Sequence, residues 1–247
     1  MPHAVSRLRS ARMALDTKPK LDRGEERKPR CPGCRLSQGY CMCALRPRLQ
    51  TRVGVCLIMA EFEALKPSNT GWLIADVVQD TAAFGWARTE VDPALLAMLS
   101  DPQWQPFVVF PGEFAEPERV VTQLPTRMNA AAPGSRRPLL VMLDGTWTEA
   151  RKMFRKSPYL NALPVLSLQP EHLSRYRLRR HIRDNHFCTA EVAALCLELA
   201  DEAHAAQTLD AYLDVFTHRY LQAKQTLPVD EGNDAHRVLR ELSVSSC

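Results

Sequence analysis

Uninterrupted apolar runs, more than alternation, mark the strands of this chain. Leu139-Leu140-Val141-Met142-Leu143 is the clearest, the pattern of a strand covered on both faces of its sheet. Val53-Gly54-Val55-Cys56-Leu57-Ile58-Met59 and Phe107-Val108-Val109-Phe110 read alike, and Leu163 to Leu168 reads as a further strand or extended segment. Elsewhere the spacing is helical. Leu73, Ile74, Val77 and Val78 form an apolar stripe behind Ser68 or Asn69 as N-cap, and Asp92 to Leu99 predicts a short helix with Pro93 first. With Thr189 as N-cap, a helix continues through Val192, Cys196, Leu199 and Ala203; Leu209, Tyr212, Leu213, Phe216 and Tyr220 mark another before Pro228. Strands alternating with helices predict an α/β fold with a mostly parallel sheet flanked by helices.

The remaining segments set the expected boundaries. Residues 1–30 are polar, basic and aperiodic, which predicts a disordered arm, and residues 227–247 predict a polar, disordered tail. Residues 31–48 form a cysteine-rich element, and residues 49–226 the α/β domain. Residues 125–138, with Pro125, Pro133, Gly134 and Pro138, predict a loop.

The apolar run at 139–143 leads into Asp144-Gly145-Thr146-Trp147. Asp144 falls at the carboxyl end of a strand, Gly145 permits a sharp turn, and Thr146 can cap the helix that follows. Ligands of open α/β sheets bind outside the carboxyl ends of the strands. On spacing alone, a plain cap at Asp144 and plain packing at Trp147 stand level with a functional site. The polar loop of Glu61, Lys66, Ser68, Asn69 and Thr70 follows another strand end, as does the Pro111-Gly112 turn; each suits a ligand or ordinary turn chemistry equally.

Cys31, Cys34, Cys41 and Cys43 hold half of the eight cysteines, as C-x2-C, six residues, then C-x-C. Convergent thiolates at this spacing suit a tetrahedral zinc, and four protein ligands make such a site structural. Two disulfides are the other reading, which a cytoplasmic setting would disfavour. No apolar run approaches the ~20 residues of a membrane span, and Met1 to Lys20 lacks the apolar core of a secretory signal, so the expectation is a cytoplasmic protein without a membrane partner. Net charge is +4 with a pI near 8.7, which permits a nucleic-acid partner without requiring one. Basic clusters at Arg151, Lys152, Arg155 and Lys156, and at Arg175, Arg177, Arg179, Arg180 and Arg183, flank the segments with candidate chemistry. Neither a Walker A loop nor a G-x-G-x-x-G is present, so the usual P-loop and dinucleotide-binding signatures are missing.

Together these segments resemble the DTW-domain family of tRNA-uridine aminocarboxypropyltransferases. Asp144-Gly145-Thr146-Trp147 is similar to the family's D-x-T-W signature, behind a leading cysteine cluster at Cys31, Cys34, Cys41 and Cys43. Glu61 with Ser68-Asn69-Thr70 resembles its E…(S/T)NT element, Phe110-Pro111-Gly112 its strand-end proline motif, and Thr189-Ala190-Glu191 its T-x-E element. Met59-Ala60 stands where some members carry His, and Glu191-Val192 where Glu-Ala is common.

The resemblance implies a SPOUT-like sheet, with a knotted topology as one option, that binds S-adenosylmethionine. It implies transfer of the 3-amino-3-carboxypropyl group to N3 of a tRNA uridine, releasing methylthioadenosine. Asp144 would be general base or orienter, with Thr146 and Trp147 beside it as catalytic residues. Asn69, Thr70, Pro111, Gly112, Gly145, Thr189 and Glu191 would hold the cofactor, and Arg151, Lys152, Arg175, Arg177, Arg179, Arg180 and Arg183 the tRNA. The alternatives are a SPOUT-type RNA methyltransferase using the same cofactor, and a non-catalytic zinc-ribbon RNA-binding protein.

Overall fold

A computed structural model describes residues 2–15, 29–124, 136–168 and 187–244 of the chain. The apolar runs become strands β1 (Gly54–Met59), β3 (Trp104–Val109), β5 (Arg137–Asp144) and β6 (Val165–Leu166), and β2 (Thr81–Gly85) and β4 (Val120–Val121) join them. They form one sheet in the order β2-β1-β5-β3-β6-β4, with all five pairings parallel. β5, the longest, lies between β1 and β3, where its run of apolar residues is covered on both sides.

Alternation is present in the strands but hidden from the sequence, because both faces are apolar. Val55, Leu57, Met59, Leu140, Met142, Phe107 and Val109 face one core; Cys56, Ile58, Leu139, Val141 and Val108 face the other. The first core is closed by α2 (Gly71–Val77), α5 (Thr189–Leu199) and α6 (Ala203–Gln225). The second is closed by α3 (Pro93–Ser100) and α4 (Trp147–Lys156). Each fully buried branched side chain contributes roughly 1.5–3 kcal/mol, so β5 alone anchors a substantial part of both layers. Among the described residues, no helix is long and apolar enough to cross a membrane.

Several expectations are corrected. The amino-terminal segment is not a disordered arm throughout: residues 4–15 form α1 (Ala4–Leu15), with Val5 buried in the first core. Arg9 of α1 donates to the carbonyls of Ala64 and Leu65, and Arg12 pairs with Glu61. The tail likewise forms α7 (Asp234–Val244), which buries Leu239 against the first core. Neither helix is seen in the chain because each is held by contacts made far away in sequence. The cysteine-rich element is not a separate body, since Cys34, Leu36 and Met42 belong to that core too. β2 and β4 escape detection because one is Ala-rich and partly exposed and the other spans two residues. Pro138 lies within β5, where it pairs with Gln105, and Ala203 starts α6 instead of extending α5. Residues 125–135 of the expected loop lie outside the described residues.

α7 is docked by charge as well as packing. Arg219, almost fully buried, donates through Nε to His236 Nε2 at 3.0 Å and pairs with Glu231 at 2.7 Å; Glu231 also binds Arg240. Burial first, then the Arg219 guanidinium, holds His236 below the ordinary histidine range. A lowered folded-state value means that the released state binds the proton more readily, so docking is complete above the ordinary value of 6.5 and weakens as pH falls below it. Hydrogen exchange over residues 234–244, corrected for intrinsic rates, should show protection falling between pH 7.5 and 5.5; His236→Gln should flatten that dependence.

Candidate functional site

β1 and β5 are neighbours, yet the chain leaves β1 toward α2 on one face and leaves β5 toward α4 on the other. Such a switch point opens a crevice at the carboxyl ends of the two strands, the usual ligand position in an open α/β sheet. Asp144 ends β5 there, opposite Met59, and its carbonyl accepts from the Ala60 amide at 2.8 Å.

The strand's alternation aims the Asp144 carboxylate toward the α2/α5 face, where it is fully buried. Asn69 Nδ2 donates to Oδ2 at 2.7 Å, and Thr189 Oγ1 donates to Oδ1 at 2.6 Å. One carboxylate therefore ties together the loop after β1, the end of β5 and the start of α5. Asn69 is oriented in turn by the Trp72 amide, which donates to its Oδ1 at 2.9 Å. Gly71 fits against this clamp because it has no side chain; a Cβ there would stand 2.5 Å from Asp144 Oδ2. The Ala190 amide approaches Thr70 Oγ1 at 3.4 Å.

The caps differ in detail from the expectation. Thr70, not Ser68 or Asn69, occupies the N-cap position of α2, although the Asn69 side chain supplies an acceptor. Cys188, not Thr189, caps α5, and Glu191 closes the box by accepting from the Cys188 amide at 2.7 Å. That shift of one residue leaves the Thr189 hydroxyl to Asp144. Thr146 does cap α4: its amide and hydroxyl donate to Glu149 Oε2 at 2.8 and 2.6 Å, and the Glu149 amide returns to Thr146 Oγ1 at 3.3 Å.

Trp147 goes to the other face of the sheet. It stacks on Phe110 at 5.4 Å and 10°, Phe110 stacks on Phe154 at 4.4 Å, and Phe114 meets Phe110 and Trp147 edge-on. Asp144 and Trp147 are thus separated by the sheet, although three residues apart. Arg151 lies over the Phe114 ring, whereas Lys152 lies over Trp86. The Gly112 amide donates to Ser167 Oγ at 3.0 Å, so Pro111 and Gly112 sit at the carboxyl ends of β3 and β6, on the side of β5 away from β1. Arg175, Arg177, Arg179, Arg180 and Arg183 lie outside the described residues.

Two further carboxylates in the crevice, Glu63 and Glu149, were not singled out by the sequence reading. Buried Glu63 pairs with Lys66 and accepts from Asn69 Nδ2 at 3.4 Å. Burial works to raise the Glu149 carboxyl, but the Thr146 donors, with Lys66 and Lys152 nearby, outweigh it and hold the group below its usual range. Only the T-x-x-E spacing of Thr146 and Glu149 hints at this arrangement. The crevice therefore offers both signs of charge close together.

The four cysteines converge, with all Sγ atoms within 4.8 Å of one another and individual separations of 3.4, 3.6 and 3.9 Å. Thiolates at ~2.3 Å from a tetrahedral zinc have edges of about 3.8 Å, so the set fits a metal of that kind. None of the described cysteines is in a disulfide. Burial raises the Cys34 thiol to about 11, while at Cys31 the amides of Cys34 and Gly33 outweigh burial and bring the thiol to about 7. Gly33 is needed by close approach, as a Cβ would meet Cys43 Sγ at 2.6 Å. The Gly33 carbonyl accepts from Arg46 Nη2 at 2.6 Å and from Trp72 Nε1 at 3.2 Å, which seats the cluster on α2.

Asp144→Ala removes the acceptor shared by the buried Asn69 amide and the partly buried Thr189 hydroxyl and should lower stability by about 2–4 kcal/mol in urea unfolding. Asp144→Asn should cost less, because the Thr189 hydroxyl can reverse and accept from the new amide. Elemental analysis should find one metal ion per chain, and Cys41→Ser should lose that metal and lower the melting temperature.

Comparison with known families matches residues 28–221 to the DTW domain, and no solved structure matches the chain. The matched span runs from before the cysteine cluster to beyond Thr189 and Glu191, enclosing every part of the crevice described above. This chain belongs to the DTW family, which is associated with tRNA modification.

Proposed function

We propose that this protein transfers the 3-amino-3-carboxypropyl group of S-adenosylmethionine to N3 of a uridine in tRNA, releasing methylthioadenosine. The observation that carries the reading is the DTW match together with its Asp144-Gly145-Thr146-Trp147 segment at the switch point of a parallel sheet. On this reading the sheet is SPOUT-like, the cysteine cluster holds a structural zinc, and the protein works on tRNA in the cytoplasm.

The crevice chemistry suits a zwitterionic co-substrate. Lys66 and Lys152 near Glu149 provide partners for an amino-acid moiety, and the loops carrying Asn69, Thr70 and Gly145 surround the ends of β1 and β5, with Pro111 and Gly112 at the ends of β3 and β6. S-adenosylmethionine supplies an electrophilic carbon beside a sulfonium. The chain's part is to hold N3 of the uracil in line with that carbon and to exclude competing water.

Asp144 is best read as a positioning residue. Its carboxylate is fully buried and both oxygens already accept hydrogen bonds, so its role is to hold the Asn69 loop and the Thr189 end of α5 in register. Removal of the N3 proton then falls to a group at the exposed rim or to water.

Incubation of the purified protein with unmodified tRNA and labelled S-adenosylmethionine, followed by nucleoside mass analysis, tests the reaction. Aminocarboxypropyluridine is the expected product; a methylated nucleoside would replace this reading by a methyltransferase, and RNA retention without product would leave a binding protein. In the same assay Asp144→Asn should retain most activity while Asp144→Ala loses it. Equal losses of about 10²–10⁴-fold in both would make Asp144 the base instead.

A further inference from the structure

α1 precedes the span matched to the DTW domain, which begins at residue 28, yet it packs on the loop that enters the crevice. Its inner face is Val5, Leu8, Arg9 and Arg12, spaced i, i+3, i+4 and i+7, so half of the docking stripe is arginine. Val5 and Leu8 join the first core, while Arg9 and Arg12 reach the loop between β1 and α2. Just ahead of α1, the His3 ring meets the Trp72 ring edge-on at 4.4 Å, so the segment touches both ends of that loop.

The loop cannot satisfy its own backbone. It contains a 3-10 turn at Glu63–Leu65, whose last bond runs from the Lys66 amide to the Glu63 carbonyl at 3.1 Å. The carbonyls of Ala64 and Leu65 lie beyond that bond, in residues that are almost fully buried. Arg9 meets both: its Nη1 donates to the Ala64 carbonyl at 3.3 Å and to the Leu65 carbonyl. The Lys66 carbonyl accepts from Arg35 Nη1 and from the Asn69 amide, each at 3.1 Å. Three successive carbonyls are thus held by guanidinium groups from α1 and the cysteine element. They lead directly to Lys66 and Asn69, whose side chains reach Glu63 and Asp144.

We propose that Arg9 is a positioning residue for the crevice: through the Ala64 and Leu65 carbonyls it sets the pose in which Lys66 takes the carboxylate of the co-substrate's amino-acid end. An ammonium has three donors, so Lys66 can keep Glu63 and still bind a second carboxylate. Arg12 does not share this role. Its partner Glu61 is largely exposed, and an ion pair of that kind contributes little. The acceptors of Arg9 are buried, where a lost donor is not replaced by water, so its removal is the costly one. The role assigned to Arg9 rests on the reading of the crevice as an S-adenosylmethionine site.

Hydrogen exchange and calorimetric titration with S-adenosylmethionine, on the full chain and on Arg9→Ala, Arg9→Lys and Arg7→Ala, test the inference. In Arg9→Ala, exchange should rise over residues 61–69 and stay unchanged over residues 139–143. Its Kd for S-adenosylmethionine should rise about ten-fold, with kcat at saturating co-substrate within about two-fold of wild type. Arg9→Lys should fall between, since an ammonium still donates to a carbonyl but lacks the fork that matches two. Arg7 lies on the same helix and is exposed, so Arg7→Ala should change neither reading. Unchanged exchange over residues 61–69 in Arg9→Ala would overturn the proposal, as would a lower kcat and urea midpoint at wild-type Kd. If wild-type protein binds no S-adenosylmethionine while Arg9→Ala still frees the loop, the co-substrate reading fails and the hold of Arg9 on the loop stands. If wild type and Arg9→Ala bind it equally well, the co-substrate reading stands and the role of Arg9 fails.

Discussion

A single buried carboxylate holds the functional end of this fold together. Asp144 has no solvent around it, so its carboxyl oxygens must be met by the protein, and Asn69 and Thr189 meet them from two different segments. Buried polar groups are costly when unmet, and that cost makes the arrangement specific: neither segment can shift without leaving a donor or an acceptor unmet. The requirement extends to Gly71, the position at which any side chain would collide with the carboxylate.

The cysteine element enters the same system through α2. Trp72 binds Asn69 with its amide and the Gly33 carbonyl with its indole, so one residue joins the Cys cluster to the clamp. Around it lies a second polar cluster. Arg46 reaches Asp76 at 2.8 Å, Tyr212 donates to Asp76 at 3.1 Å, and Arg35 covers the Trp72 ring at 4.3 Å. Burial pushes Asp76 up to about 6 against the opposing pull of Arg46, a measure of how dry this junction is. A structural metal at the cysteines would therefore stiffen the loop that carries Asn69, which gives a distant site a physical connection to the crevice.

The sheet divides the D-x-T-W segment between two tasks. Asp144 faces α2 and α5 and fixes backbone segments; Trp147 faces α4 and Phe110 and presents an aromatic surface. Gly145 and Thr146 make the turn between them, and the reciprocal bonds of Thr146 and Glu149 fix where α4 begins.

Much of this was legible in the chain. Apolar runs gave the buried parallel strands, since a strand covered on both faces has no polar positions, and four close cysteines gave a converging cluster because their spacing leaves few other uses. Asp144, Gly145 and Thr146 could be placed at a strand end, a turn and a cap, which are local properties of two or three residues. What the sequence could not carry were decisions taken across distance. Whether Asp144 meets solvent or a clamp depends on Asn69 and Thr189, separated from it by 75 and 45 residues. Whether α1 and α7 form depends on cores and ion pairs supplied by other elements, and which face Trp147 takes depends on the direction in which the chain leaves β5. Local chemistry is written in neighbouring residues, whereas burial, pairing and sidedness exist only once the sheet has closed around them.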